Sequence, residues 1–345
     1  MNARVAGIAG SAVVLAGCLA AGQLPPEALR DEAVSTVVPL GLDLAAPVPD
    51  DNPASAATVD LGRRLFFDPI LSSDESASCS TCHQPDLYFT DGRAHGVGVE
   101  GREGQRNVPS ILNVAYGRSF FWDGRAPSLE EQVLEPIQNR LELDLDLAEL
   151  ETRLENHEGY RDAFRRAFLN EETSATNAAR ALASYLRTLR SGDAPIDRFL
   201  EGDQEALSGQ AQRGFELFTG KANCSRCHLM PLFTDHRFHN TGISWGAGDL
   251  GRQVVTGRDE DRGAFKVPSL RNVEHTAPYM HDGSLASLED VIEHYNDGGT
   301  SSPYLDEEIR PLRLSDAEKR DLIAFLRSLT GTNREADRGG TRAES

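Results

Sequence analysis

Long apolar runs are missing from this chain of 345 residues. None reaches the ~18–20 residues that a membrane-spanning helix needs, which excludes an integral helix. Basic residues are in deficit, 35 Lys and Arg against 54 Asp and Glu, for a formal charge of −19. That balance repels phosphate backbones, argues against nucleic acid, and suits a basic redox protein or other cationic partner. Cysteine is scarce at five residues, so a disulfide-stapled miniprotein is ruled out for a chain of this length. Methionine numbers only three, and apart from Met1 these are Met230 and Met280. What remains is ordinary: 39% hydrophobic and 26% charged residues exclude global disorder. At roughly 150 residues per domain, the length implies about two domains.

Residues 1–17 carry one charge, Arg4, before an apolar stretch from Val5 to Leu15. This reads as a secretory signal, too short to span as a mature helix. It ends in Leu15-Ala16-Gly17-Cys18, similar to the lipobox of bacterial lipoproteins, in which the cysteine is lipidated. An ordinary signal cleaved near Ala20 or Ala21 is the alternative. The lipobox reading also accounts for the one cysteine outside a pair. It predicts a periplasmic protein held to a membrane by lipid alone. Residues 18–53, rich in Ala, Pro and Asp, read as an extended tether. Residues 332–345 read as a disordered tail.

Between these ends the sequence repeats itself. Val108-Pro109-Ser110 returns as Val267-Pro268-Ser269, Asn113-Val114 as Asn272-Val273, Asp123-Gly124 as Asp282-Gly283, and Ser128-Leu129-Glu130 as Ser287-Leu288-Glu289, each 159 positions on. Two homologous domains follow, 54–200 and 201–331, with the boundary near Asp193–Asp203. Apolar spacing at i, i+3 and i+4 predicts helices from Ala148 to Phe168, Thr176 to Leu189 and Asp316 to Leu329. Strand-like alternation occurs only from Leu141 to Leu147. Gly-rich loops run from Thr90 to Gly104 and from Thr241 to Gly263. The string Gly96-x-Gly98-x-x-Gly101 matches a dinucleotide fingerprint. It lacks the flanking strand and helix, and reads as a loop.

Four cysteines form Cys79-Ser80-Thr81-Cys82-His83 and Cys224-Ser225-Arg226-Cys227-His228. This pattern attaches c-type haem. Two thiols one helical turn apart bond the two vinyl groups of one porphyrin, and the adjacent histidine reaches the iron. A redox Cys-x-x-Cys or a zinc site leaves the following histidines unexplained. The fold class is therefore mainly α, two cytochrome c-like haem domains in one chain, with two covalent haems.

The chain resembles the bacterial dihaem cytochrome c peroxidase and MauG family from about Asn52 to Thr330. The resemblance rests on both haem motifs, Arg106-Asn107-Val108-Pro109, Phe121-Trp122-Asp123-Gly124-Arg125, Phe238-His239-Asn240-Thr241-Gly242 and Thr276-Ala277-Pro278-Tyr279. It implies a peroxide-reactive haem in the first domain and an electron-transfer haem in the second. It makes Trp122 the tryptophan between the haems, Glu142 the distal glutamate and Gln132 the distal glutamine. Trp122 has His281 as its counterpart in the repeat. Asn107, Thr276 and Pro278 match residues that hold a calcium ion between the domains; an oxygen side chain and backbone carbonyls suit that cation. Asp123 and Arg125 are expected in structural or propionate-pairing roles.

For the sixth ligand of the second haem, the family's methionine position holds Tyr295, as in MauG. Leu288, Val291, Ile292 and Tyr295 share one helical face, with His294 about 100° away. Met280 and His294 remain alternatives. The loop histidine of reductively activated peroxidases is replaced by Val99, so the first site is open or His95 gates it. MauG's surface-route tryptophan is replaced by Ala222, with Trp245 as another relay candidate. Three functions follow from the resemblance. One is a peroxidase drawing electrons from a small cytochrome c or cupredoxin to reduce hydrogen peroxide. Another is a MauG-type oxidase that modifies a partner protein. The third is a non-catalytic dihaem carrier, disfavoured by an open iron beneath Glu142 and Gln132.

Overall fold

The computed structural model describes residues 38–42, 46–169, 172–243 and 248–332. The leader, Cys18, Trp245 and residues 333–345 lie outside the described residues. The helices are α1 (Ala56–Phe67), α2 (Cys79–Cys82), α3 (Leu129–Gln138), α4 (Leu147–Asn156), α5 (Glu158–Ala167), α6 (Ala175–Leu186), α7 (Pro195–Leu200), α8 (Gly209–Thr219), α9 (Gln253–Thr256), α10 (Leu288–Asp297) and α11 (Asp316–Arg327). Two short strands, β1 (Phe238–His239) and β2 (Phe265–Lys266), pair antiparallel.

Each half is built on one close helix crossing. In the first, α1 passes over α6 at Gly62, where a Cβ would lie 1.9 Å from the Ala181 carbonyl oxygen. In the second, α8 passes over α11 at Gly214, where a Cβ would lie 2.0 Å from the Asp321 carbonyl oxygen. Only glycine permits either approach. Serine caps start all four helices: Ser55, Ser174, Ser208 and Ser315 each accept a backbone N–H of the first turn.

The repeat is equally visible in the backbone. Asn113 and Asn272 both adopt left-handed φ, at 61° and 62°, as do Phe121 and Met280 at 66° and 72°. The bridge between Phe120 and Ala126 recurs between Tyr279 and Leu285. Ser128 and Ser287 cap α3 and α10 in the same way.

Two cores result. The first gathers Leu65, Phe66, Ile137, Leu150, Tyr160, Phe164 and Leu182; the second gathers Ile196, Phe218, Phe233, Leu288, Ile292, Leu322 and Phe325. Each fully buried Phe or Leu contributes about 1.5–3 kcal/mol. The change of core falls between Leu189 and Ala194, so α7, counted with the first domain from sequence, packs in the second.

Three local expectations are corrected. The helix from Ala148 to Phe168 is two helices, broken where extended His157 ends α4 and begins α5. Residues 141–147 form no strand. Leu143 and Leu145 do alternate into the core, but Asn139 accepts from Glu142 and Asp144 and coils the segment into a turn. The described part of the tether is docked. Leu42 and Ala46 are buried with Ala115, Tyr116 and Leu232, the Gly41 carbonyl accepts Arg271, and Asn52 donates to Glu130 and the Arg180 carbonyl.

Candidate functional site

One cavity of about 1170 Å³ runs through both halves. It exceeds the roughly 300–1,000 Å³ usual for a small-molecule site. Cys82, His83, Cys224, Cys227 and His228 all line it.

In the first half, α2 is a single turn that carries Cys79 and Cys82 on one side, and the His83 N–H closes it on the Cys79 carbonyl at 2.9 Å. His83 Nδ1 donates to the Phe89 carbonyl at 3.0 Å, and Ser110 anchors the neighbouring Tyr88 carbonyl at 2.7 Å. The second half copies this. His228 Nδ1 donates to the Phe233 carbonyl at 2.8 Å, and Ser269 holds the Leu232 carbonyl at 2.6 Å. Fixing Nδ1 as the donor leaves Nε2 as the free ligand of each ring. Burial lowers both imidazole pKa values, keeping the rings neutral.

Burial pushes the thiols of Cys79 and Cys224 up to about 12 and that of Cys82 to about 11. A redox Cys-x-x-Cys needs the opposite shift, toward thiolate. Among the described residues, the one cluster with metal-ligand spacing is Cys227, Asp235 and His239. Its histidine is already held by Asp306 at 2.6 Å and Asp235 at 3.0 Å. A zinc site uniting the two cysteine pairs is absent from that set. Paired half-buried thiols, a neutral histidine with a committed Nδ1 and a large shared cavity fit a covalent haem in each half.

Gln132 on α3 and Glu142 on the following turn both line the cavity. Gly98 lets the loop lie against this turn; a Cβ there would sit 2.3 Å from the Glu142 carbonyl oxygen. The Glu142 carboxyl accepts from Asn139 Nδ2 at 2.7 Å. Burial dominates its environment and raises its pKa, against the lowering effect of Asn139. Asn139 has no sequence signal beyond lying three residues before Glu142. His95 lines the cavity and meets Glu103 at 3.3 Å, whereas Val99 is a core residue at 1% exposure.

Between the halves, Trp122 Nε1 donates to the Asn107 carbonyl at 2.8 Å. Asn107 N–H donates to the His281 carbonyl at 2.7 Å, and Lys266 N–H to the Trp122 carbonyl at 2.8 Å. The His281 ring stacks on Phe265, centroids 3.6 Å apart. Asp123 is structural: it pairs with Arg106 at 2.7 Å and Arg125 at 3.0 Å, while Arg106 also grips Asp249. Asn107, Thr276 and Pro278 all line the cavity, as does Ala222.

The sixth-ligand alternatives separate. Met230 is 46% exposed and does not line the cavity. His294 Nε2 is committed to the Thr241 carbonyl at 2.9 Å. Met280 and Tyr295 both line the cavity. Tyr295 shares that lining with Cys224 and Cys227, and burial, then these two thiols, raises its phenol pKa.

The sequence profile described as di-haem cytochrome c peroxidase matches residues 56–205. The chain is 42% identical over 328 residues to the methylamine utilization protein MauG of Methylorubrum extorquens, covering 93% of this chain and 92% of that one. The chain belongs to the di-haem cytochrome c peroxidase and MauG family. It is an oxidoreductase whose family carries two c-type haems. A cytochrome-c peroxidase of Pseudomonas sp. (strain SCT) is 38% identical, covering 82% of this chain and 83% of its own. A crystal structure of a MauG-like protein associated with microbial copper homeostasis superposes with a TM-score of 0.77 at 34% identity, covering 86% of this chain and 94% of its own.

Proposed function

We propose that this protein reduces hydrogen peroxide to water in its first domain, with electrons from a small cytochrome c or cupredoxin entering through the second. Each turnover consumes two electrons and two protons. When bound, the haems supply an iron at which the O–O bond is cleaved and a relay for incoming electrons. The chain's own residues do the rest. Glu142 holds a proton at its carboxyl and passes it between the two peroxide oxygens. Gln132 holds the peroxide or a water in place. Trp122, its indole fixed on the Asn107 carbonyl, lies on the path between the halves.

The observation that carries this reading is a half-buried carboxyl of raised pKa lining the same cavity as Cys82 and His83. A general acid–base group of that kind contributes typically 10²–10⁴-fold. Steady-state turnover with a reduced cytochrome c tests it. Robust peroxide-dependent oxidation supports the reading, and its absence in protein carrying both haems overturns it.

A MauG-type oxidase acting on a partner protein is the second reading, favoured by Tyr295 beside the second cysteine pair. A tyrosine ligand there favours oxidised iron, where methionine raises the potential. Ala222, buried where MauG has its route tryptophan, counts against the same partner chemistry. A protein-modifying enzyme would be a poor peroxidase with small donors.

A calcium ion between the halves is part of the proposal. Asn107 Nδ2 donates to the Arg93 carbonyl at 2.9 Å, which commits the amide nitrogen and frees its oxygen for a cation. Among the described residues no donor reaches the carbonyls of Thr276 or Pro278. Three such oxygens suit a hard cation, with water completing its shell. Export to the periplasm and lipidation at Cys18 complete the proposal and rest on the leader sequence.

A further inference from the structure

The repeat carries the cation-binding oxygens onto a second place in the molecule. A shift of 159 positions relates Asn107 to Lys266, Thr276 to Gly117, and Pro278 to Ser119. The backbone frame is the same in both. Asn107 N–H crosses to the His281 carbonyl at 2.7 Å, and Lys266 N–H crosses to the Trp122 carbonyl at 2.8 Å. His281 and Trp122 are themselves repeat partners. The side chain is what differs. Lys266 Nζ donates to the Ser119 carbonyl at 2.8 Å, the counterpart of the Pro278 carbonyl.

We propose that Lys266 is a built-in cation, its ammonium standing in the second site where a calcium ion stands in the first. The inference rests on the calcium reading of Asn107, Thr276 and Pro278. Asparagine brings an oxygen to a metal; lysine brings the positive charge itself, with three donors and no acceptor. Among the described residues no carboxylate lies within 4.0 Å of this ammonium, and Asp123, the nearby acid, pairs with Arg106 and Arg125. The ammonium is nevertheless held in the shared cavity, with Phe120 at 5.7 Å on one side. Burial lowers its pKa to about 8, which leaves it mostly charged at neutral pH. Burial first, and then the fields of Lys266 and Arg118, depress the pKa of His236 nearby, so the ammonium's charge is felt within this part of the cavity.

The test is calcium content, measured by elemental analysis of the dihaem protein after equilibration with calcium and gel filtration. The wild type should hold one calcium per chain, Lys266→Asn two, and Asn107→Lys none. The thermal midpoint of Asn107→Lys should also become insensitive to a chelator that lowers the wild-type midpoint. A Lys266→Asn protein with native haem absorption and helix content that still holds one calcium overturns the inference alone. If that variant does not fold, Asn107→Lys decides: one retained calcium overturns the inference. A wild type with no calcium overturns the calcium reading itself, and the inference with it.

Discussion

Asn107 and Lys266 make matching hydrogen bonds across the two halves, each giving its backbone N–H to a carbonyl of the other half, at 2.7 and 2.8 Å. The acceptors are His281 and Trp122, which are also related by the repeat. One contact made twice thus helps join the two halves, and it fixes the Trp122 and Asn107 backbones.

Glu142 should titrate above an ordinary carboxyl, because burial outweighs the Asn139 hydrogen bond. A carboxyl whose folded pKa is raised keeps its proton over a wider pH range. Its cost to stability appears as pH rises from the unfolded value through the folded one. Asn139→Ala removes the lowering contact and should move the corresponding limb of the pH–rate profile upward. Glu142→Gln should reduce peroxide turnover by about 10²–10⁴-fold with haem content unchanged. An unmoved profile in Asn139→Ala would sink this assignment.

Tyr295→Met should raise the reduction potential of the second haem, by on the order of 0.1 V within the ~0.8 V that axial ligation spans. Spectroelectrochemical titration reads it directly. His294→Ala removes the bond to the Thr241 carbonyl, costing about 1 kcal/mol, and an edge-on ring contact with Tyr295 at 5.3 Å, and should leave the axial spectrum as it is. If the histidine variant changes the spectrum and the tyrosine variant does not, the ligand is misassigned.

Much of the site was legible because haem attachment is written locally. The spacing of Cys79, Cys82 and His83, and of their counterparts, needs no tertiary information. Tyr295 was reached through the family resemblance, and helical periodicity could set its face because α10 is regular. Glu142 was harder. Its alternating neighbours read as a strand, yet Leu143 and Leu145 alternate into a core with no partner strand beside them, and a turn satisfies the backbone instead. The role of Lys266 was hidden because its counterpart is an asparagine and its acceptor, the Ser119 carbonyl, belongs to the other half. The docking of Leu42 and Ala46 was also hidden, because a Pro- and Ala-rich composition says nothing about a groove waiting elsewhere in the chain.

The two glycine crossings should fail in the same way. Gly62→Ala and Gly214→Ala each drive a methyl into a carbonyl oxygen, and overpacking of this kind costs about 1–3 kcal/mol. Denaturant unfolding followed at the haem bands should show both losses. Equal stability to the wild type would mean that the helices slide apart freely.

Arg271 and Asp197 form an ion pair with both side chains 2% exposed. Removing one partner strands a buried charge, so Asp197→Ala should cost about 3–5 kcal/mol. Because the same guanidinium holds the Gly41 carbonyl, limited proteolysis should begin earlier at the N-terminal side of the haem domains. A stability loss under 1 kcal/mol would contradict the pair's burial.

The docked residues 38–42 and 46–52 touch Tyr116 and Glu130 in one half and Leu232 and Arg271 in the other. It therefore works as a clasp across the seam. The relative placement of the two cysteine pairs is thereby tied in part to a stretch of chain that belongs to neither of them.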